Sequence, residues 1–236
     1  MRELSSSWRW CIRLGAALTF VAILGASCGG DDDEPELSPD EAVERLHAAL
    51  LSPDDLPGTG WTLAGNDDFL SPENLAPDSA CDPLRSWFAM FPEEPIARAQ
   101  RSLEGDPGPD VEIELMAFRN TEMAADILAA ARELTGEAIA ACFTETLKRL
   151  RLDSTAKVTL SAATAAAPRG GIAYADDRDF AIRGTRVIAH AEKYTWTQSN
   201  IFITVDVISA GLDTTELVTT VLQRVSDSVD EVLGPD

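Results

Sequence analysis

Residues 201–208, Ile-Phe-Ile-Thr-Val-Asp-Val-Ile, constrain the fold more than any other stretch of this chain. Side chains of an extended strand alternate between its faces. Ile201, Ile203, Val205 and Val207 therefore face one way, and Phe202, Thr204, Asp206 and Ile208 the other. Ser199-Asn200 just before them reads as a hairpin turn, so residues 188–197 run back antiparallel to 201–209. The period then changes. Thr214 caps a helix in which Leu217, Val218, Val221, Leu222, Val225, Val229 and Val232 recur as one apolar stripe. A single stripe has to be covered, and the sheet is what it packs on.

The remaining segments extend this pattern. Ser38-Pro39-Asp40-Glu41 is a capping box with Pro in the first turn, opening a helix with Ala42, Val43, Leu46, Ala49 and Leu50 on one side. A turn-rich connector over residues 52–61 and an irregular, polar stretch over 62–80 with one short strand follow. A short helix from Asp82 to Phe91 groups Leu84, Trp87, Phe88 and Phe91. A strand is expected near Ala97–Leu103 and another at Val111–Phe118, where the alternation leaves Glu112 and Glu114 on the wet face. Thr121 caps a helical segment with Met123, Ala124, Ile127, Leu128, Ala131 and Leu134 in a stripe, which Gly136 breaks. A second turn set carries Ile139, Cys142, Phe143, Leu147 and Leu150. Strands are expected at 157–163, 179–186, 188–197 and 201–209. The fold class is α+β: an antiparallel β-sheet packed against helices.

The N-terminus has the three parts of an export signal. Arg2, Arg9 and Arg13 are basic, Leu14 to Leu24 are apolar, and Gly25-Ala26-Ser27 are small. The apolar run, about 11 residues, is short of the ~20 a spanning helix needs. Cys28 follows at once and resembles the lipid-attachment site of a bacterial lipoprotein. The resemblance implies a signal peptide over residues 1–27, a diacylglycerol thioether and palmitate on Cys28, and a protein held on the extracytoplasmic face of the cell membrane. An ordinary secretory cleavage and an uncleaved anchor are the alternatives. Residues 28–39, with Asp31, Asp32, Asp33, Glu34 and Glu36, then form an acidic flexible tether of up to roughly 35 Å. Residues 40–236 form a single α+β domain.

The chain carries 19 Lys and Arg against 40 Asp and Glu. Removing Arg2, Arg9, Arg13 and Glu3 with the leader leaves 16 basic and 39 acidic side chains, a net −23. That charge excludes nucleic acid as a partner and disfavours docking on anionic headgroups. With Cys11 in the leader and Cys28 lipidated, Cys81 and Cys142 remain in an oxidising compartment and most simply pair as one disulfide. Two separate buried thiols are the alternative. Two distant cysteines and two scattered histidines lack metal-ligand spacing, and no cofactor is implied.

A wider resemblance rests on the order of elements: a strand, an Ala-rich helix with Cys142 near its end, a strand meander containing Ser199-Asn200-Ile201-Phe202-Ile203-Thr204-Val205-Asp206-Val207-Ile208-Ser209, and a Val/Leu helix. This order resembles exported sensor-like domains of actinobacterial lipoproteins and the extracellular sensor domain of mycobacterial receptor serine/threonine kinases. Leu50 to Trp61 looks like the helix-turn motif opening many such lipoproteins. The resemblance spans about residues 40–233. It implies a ligand-binding or sensing module with a cleft on one sheet face and no catalytic residues.

Chemistry-bearing motifs are sparse. His47 reads as a surface histidine. His190 shares a strand face with Ile188, Glu192, Tyr194 and Trp196 but has no Gly-x-Ser-x-Gly elbow to serve. Asn66-Asp67-Asp68 and Asp176-Asp177-Arg178-Asp179 read as solvated acidic turns, because neither has calcium-loop spacing. Aromatic side chains are the ligand-binding candidates: Trp61, Trp87, Tyr194 and Trp196, with Tyr194 and Trp196 pointing the same way on one strand. The expected function is a membrane-anchored, non-enzymatic binding or sensor-like domain for a small amphipathic ligand or an envelope protein. The alternative is a lipid-carrier or envelope-assembly lipoprotein with a hydrophobic cavity.

Overall fold

A computed structural model describes residues 38–64, 75–89, 95–106, 108–151, 153–182 and 184–233. The leader, Cys28, most of the expected tether, Asn66-Asp67-Asp68 and Phe91 lie outside the described residues.

Seven strands form one antiparallel sheet: β1 (Thr62–Leu63), β2 (Ala97–Glu104), β3 (Asp110–Ala117), β4 (Lys157–Ser161), β5 (Ile172–Ile182), β6 (Thr185–Gln198) and β7 (Ile201–Ser209). Their order in space is β1-β2-β3-β7-β6-β5-β4. The strand read first from the sequence, β7, is central. It pairs with β3 on one side and with β6 on the other, and helices on either side of the sheet leave both of its faces mostly buried.

Helices cover both faces. On one, α1 (Pro39–Ala49) and α5 (Thr215–Leu233) pack on β2, β3, β7 and β6. The residues they bury include Leu103, Ile113, Val205, Val207, Tyr194 and Trp196, together with Val218, Val221, Val225 and Val229 of α5. Each large aliphatic side chain removed from water in this way contributes about 1.5–3 kcal/mol. On the other face, α4 (Gly136–Arg151) lays Ala140, Phe143 and Leu147 over Val158, Phe180 and Ala189. Ala124, Ile127 and Leu128 of α3 (Thr121–Arg132) pack around Phe118 and Phe202. The α+β class and the antiparallel sheet are as expected from the sequence.

The Cys81–Cys142 disulfide is formed, with Cα atoms 4.5 Å apart. It fastens the turn ahead of α2 (Asp82–Ala89) to α4, and both cysteines are fully buried. The capping box of α1 forms as read: the Glu41 amide donates to Ser38 Oγ at 3.3 Å, and the Ser38 amide to Glu41 Oε2 at 3.0 Å.

Three local readings are corrected. Asn120, not Thr121, caps α3, accepting from the Met123 amide at 2.8 Å. The strand expected from residue 179 begins at 172, and its turn carries Gly184 at φ 80°. Asp176-Asp177-Arg178-Asp179 is therefore mid-strand rather than a solvated turn. Asp176 is fully buried and pairs with Arg178 at 2.8 Å, and the Arg178 guanidinium lies 5.2 Å from the centre of the Phe143 ring. Internal pairing hides the charge that made the segment read as wet.

Candidate functional site

The described residues gather their densest polar network on the inner face of β6. Strand alternation puts His190, Glu192, Tyr194 and Trp196 on that face, as the sequence implies. Antiparallel register then sets Asp177 of β5 and Ser209 of β7 directly opposite His190. The loop from β4 to β5 and the start of α5 close over this row.

Glu192 is the hub. It is 1% exposed. Its carboxylate accepts from the Thr164 amide at 2.6 Å, the Thr164 hydroxyl at 2.7 Å, the Thr214 hydroxyl at 3.4 Å and the Tyr194 hydroxyl. Burial alone raises a carboxyl's pKa. Here the hydrogen bonds from Tyr194 and Thr164, with His190 alongside, outweigh it and hold Glu192 below its ordinary value. Burial, and the Glu192 carboxylate it faces, push the Tyr194 phenol well up. An ionised acid therefore meets a protonated phenol.

His190 bridges two acids: Nδ1 lies 2.9 Å from Asp177 Oδ1, and Nε2 lies 3.4 Å from Glu192 Oε1. Ser209, His190 and Asp177 line up across three strands, with the acid on the Nδ1 side as in a hydrolytic triad. Ser209 Oγ is enclosed and makes no hydrogen bond. A nucleophile needs its base within hydrogen-bond reach and an approach for substrate. This hydroxyl has neither, and Nε2 faces Glu192 instead. The row is a fastening for the loop and for the start of α5. Among the described residues, no group of three or more His, Cys, Asp or Glu is placed to hold a metal ion.

The aromatic candidates separate by face. Tyr194 and Trp196 are brought together, fully buried in the cluster under α1 and α5. Half-buried Trp61 packs against the same cluster and donates to the Pro57 carbonyl at 2.9 Å. Trp87 lies on the opposite face, packed against the cluster of Phe118, Ile127, Leu128 and Phe202 and with its ring 4.9 Å from that of Phe88. His47 is exposed on α1. Glu192 as the hub was not singled out from the sequence. The available signal was a lone acid between a histidine and a tyrosine on one strand face.

A second polar band lies on the other face of β3. Glu112 stands opposite Asp206, accepts from Gln100 Nε2, and is pushed up to about 7 by burial and by the Asp206 charge. Asp110 is pushed up to about 6, by burial and then by Glu104. Lys193 pairs with Asp206 at 2.6 Å. The expected wet face is thus half-enclosed at Glu112, an acid that resists ionising, while Asp110 at the end of the strand is exposed.

No family model matches the sequence, and no curated protein matches it. Among solved structures, the crystal structure of the extracellular domain of PknH from Mycobacterium tuberculosis aligns with 81% of this chain and 96% of its own. The TM-score is 0.40 and the identity 10%.

Proposed function

We propose that this chain is an exported lipoprotein whose α+β domain is a non-enzymatic binding or sensing module, anchored through Cys28 on the extracytoplasmic face of the membrane. The observation that carries the reading is the buried Cys81–Cys142 disulfide, read with the leader that ends at Cys28. Structural disulfides belong to oxidising compartments, and that leader is the route to one. The polar network supports a module without chemistry, because Glu192, Tyr194, Thr164 and His190 are engaged with one another. Among the described residues no helix is long and apolar enough to cross a membrane; in this reading the acyl chains on Cys28 hold the protein to it. Two chains suffice for stable anchoring where one is marginal.

The test is the mature N-terminus. Full-length protein made in a lipoprotein-processing bacterium is expected to begin at Cys28, to carry diacylglycerol and an amide-linked acyl chain by intact mass, and to fractionate with membranes. Cys28→Ala is expected to abolish the cleavage before residue 28 and both lipid modifications. A mature chain that retains residues 1–27, or that starts elsewhere with Cys28 unmodified, would refute the anchor. Native mass spectrometry of the same preparation reads the binding role through any co-purifying species.

A further inference from the structure

Tyr194 and Trp196 are large rings in a cluster enclosed by α1, α5 and the segment joining β4 to β5. The segment joining β4 to β5 contains Ala162-Ala163-Thr164-Ala165-Ala166-Ala167-Pro168-Arg169-Gly170-Gly171. Ala163, Ala165 and Ala167 pack into the same cluster as the two rings. The contact is close: a methyl group added at Gly171 would lie 2.7 Å from Trp196 Cβ and 2.3 Å from the Thr195 carbonyl oxygen. Yet Trp196 Nε1–H is buried with no hydrogen-bond partner. Buried tryptophans normally find an acceptor, and a donor left orphaned in the interior is destabilising.

The cover is held by side chains rather than by a strand ladder. At one end the Thr164 amide and hydroxyl donate to Glu192, and the Ala165 amide to Tyr194 Oη at 3.3 Å. At the other, Arg132 Nη2 donates to the Gly170 carbonyl at 2.8 Å, and Arg169 pairs with Asp230 at 2.9 Å. Arg169 and Gly170, which carry the second fastening, have φ of 49° and 68° just before β5. Contacts of this kind open locally at far less cost than the sheet beneath.

We propose that residues 162–171 are a movable cover over a binding floor formed by Tyr194 and Trp196, which takes a flat, mainly apolar ring molecule with a hydrogen-bond acceptor for the Trp196 N–H. The aromatic floor gives the ligand its ring, the orphaned donor gives it its acceptor, and alanine methyls give way at little packing cost. This names a ligand class for the binding role proposed above and is independent of the lipid anchor.

The probe is 1-indanone, with indane as the partner lacking an acceptor. Mature full-length protein in detergent micelles is labelled with 5-fluorotryptophan, and the Trp196 fluorine resonance is assigned by its loss in Trp196→Phe. Should that variant fail to fold, Trp61→Phe and Trp87→Phe assign it by exclusion. The expected result is a saturable shift of the Trp196 resonance with 1-indanone, at least tenfold weaker with indane, and faster to equilibrate in Glu192→Gln, where the cover loses its fastening. A Trp196 resonance unmoved by either compound, or moved equally by both, would overturn the proposal. A response to 1-indanone in protein that carries no co-purifying ligand would leave the site standing and count against a resident natural ligand.

Discussion

At the scale of single residues, Glu192 shows how one buried charge organises a region. The acid is tolerated in the core because four donors converge on it: the Thr164 amide and the hydroxyls of Thr164, Thr214 and Tyr194. Glu192→Gln keeps the shape but replaces one acceptor oxygen with an amide that can only donate, set against groups that also donate. Hydrogen bonds to a charged partner contribute about 1.5–3 kcal/mol, so the substitution is expected to cost about 3 kcal/mol. The readout is a lower urea midpoint with an unchanged denaturant slope. A variant as stable as wild type would show that the network is dispensable. The face shared by His190, Glu192, Tyr194 and Trp196 was legible from alternation alone. That it is a fastening was not, because Thr164, Thr214 and Asp177 reach it from three other segments.

At the scale of elements, local pattern succeeded where an element owns its signal. α1 has its capping box, β7 its double alternation and α5 its stripe, and each stands within a residue or two of its expected bounds. The pattern failed over β5, where Asp176 and Arg178 neutralise each other beneath Phe143. Two charges adjacent on one strand face read as solvent until α4 is known to cover them. The connector between α1 and β1 reads as turn-rich, yet it is a structured joint: Arg101 of β2 donates to the Leu50 and Leu51 carbonyls at 2.7 and 2.9 Å. The disulfide acts at this scale too, tying the turn before α2 to α4 across a separation of 61 residues. Closing a loop of that length contributes about 4 kcal/mol in the chain-entropy model. The double variant Cys81→Ala/Cys142→Ala is expected to lose about that much in guanidinium unfolding relative to the oxidised protein. A loss below about 1 kcal/mol would mean that packing around Leu84 and Phe143 already fixes α2 on α4.

For the molecule as a whole, the excess of acid makes stability depend on pH from two sides. Asp55 and Glu192 are held below their ordinary values, Asp55 chiefly by hydrogen bonds from Ser52 and Glu192 by bonds that outweigh its burial. Groups of that kind contribute stability above the unfolded pKa, and the contribution is lost as pH falls through the folded one. Glu112 and Asp110 act in the opposite sense. Burial first, then a neighbouring acid, raises them from 4.5 and 3.8 to about 7 and about 6. The unfolded chain ionises these carboxyls at lower pH than the folded chain does. Stability therefore falls as pH rises from about 4 through about 7, and the penalty is complete above that window. For Glu112 the displacement corresponds to about 3 kcal/mol. Glu112→Gln preserves the contact with Gln100 and removes the charge that faces Asp206. The variant is expected to melt with wild type near pH 4 and several degrees above it at pH 8. Thermal unfolding followed by circular dichroism across that range checks it. Curves that remain parallel would mean that Glu112 ionises freely in the folded protein, and that the face of β3 opposite α1 and α5 is open to water.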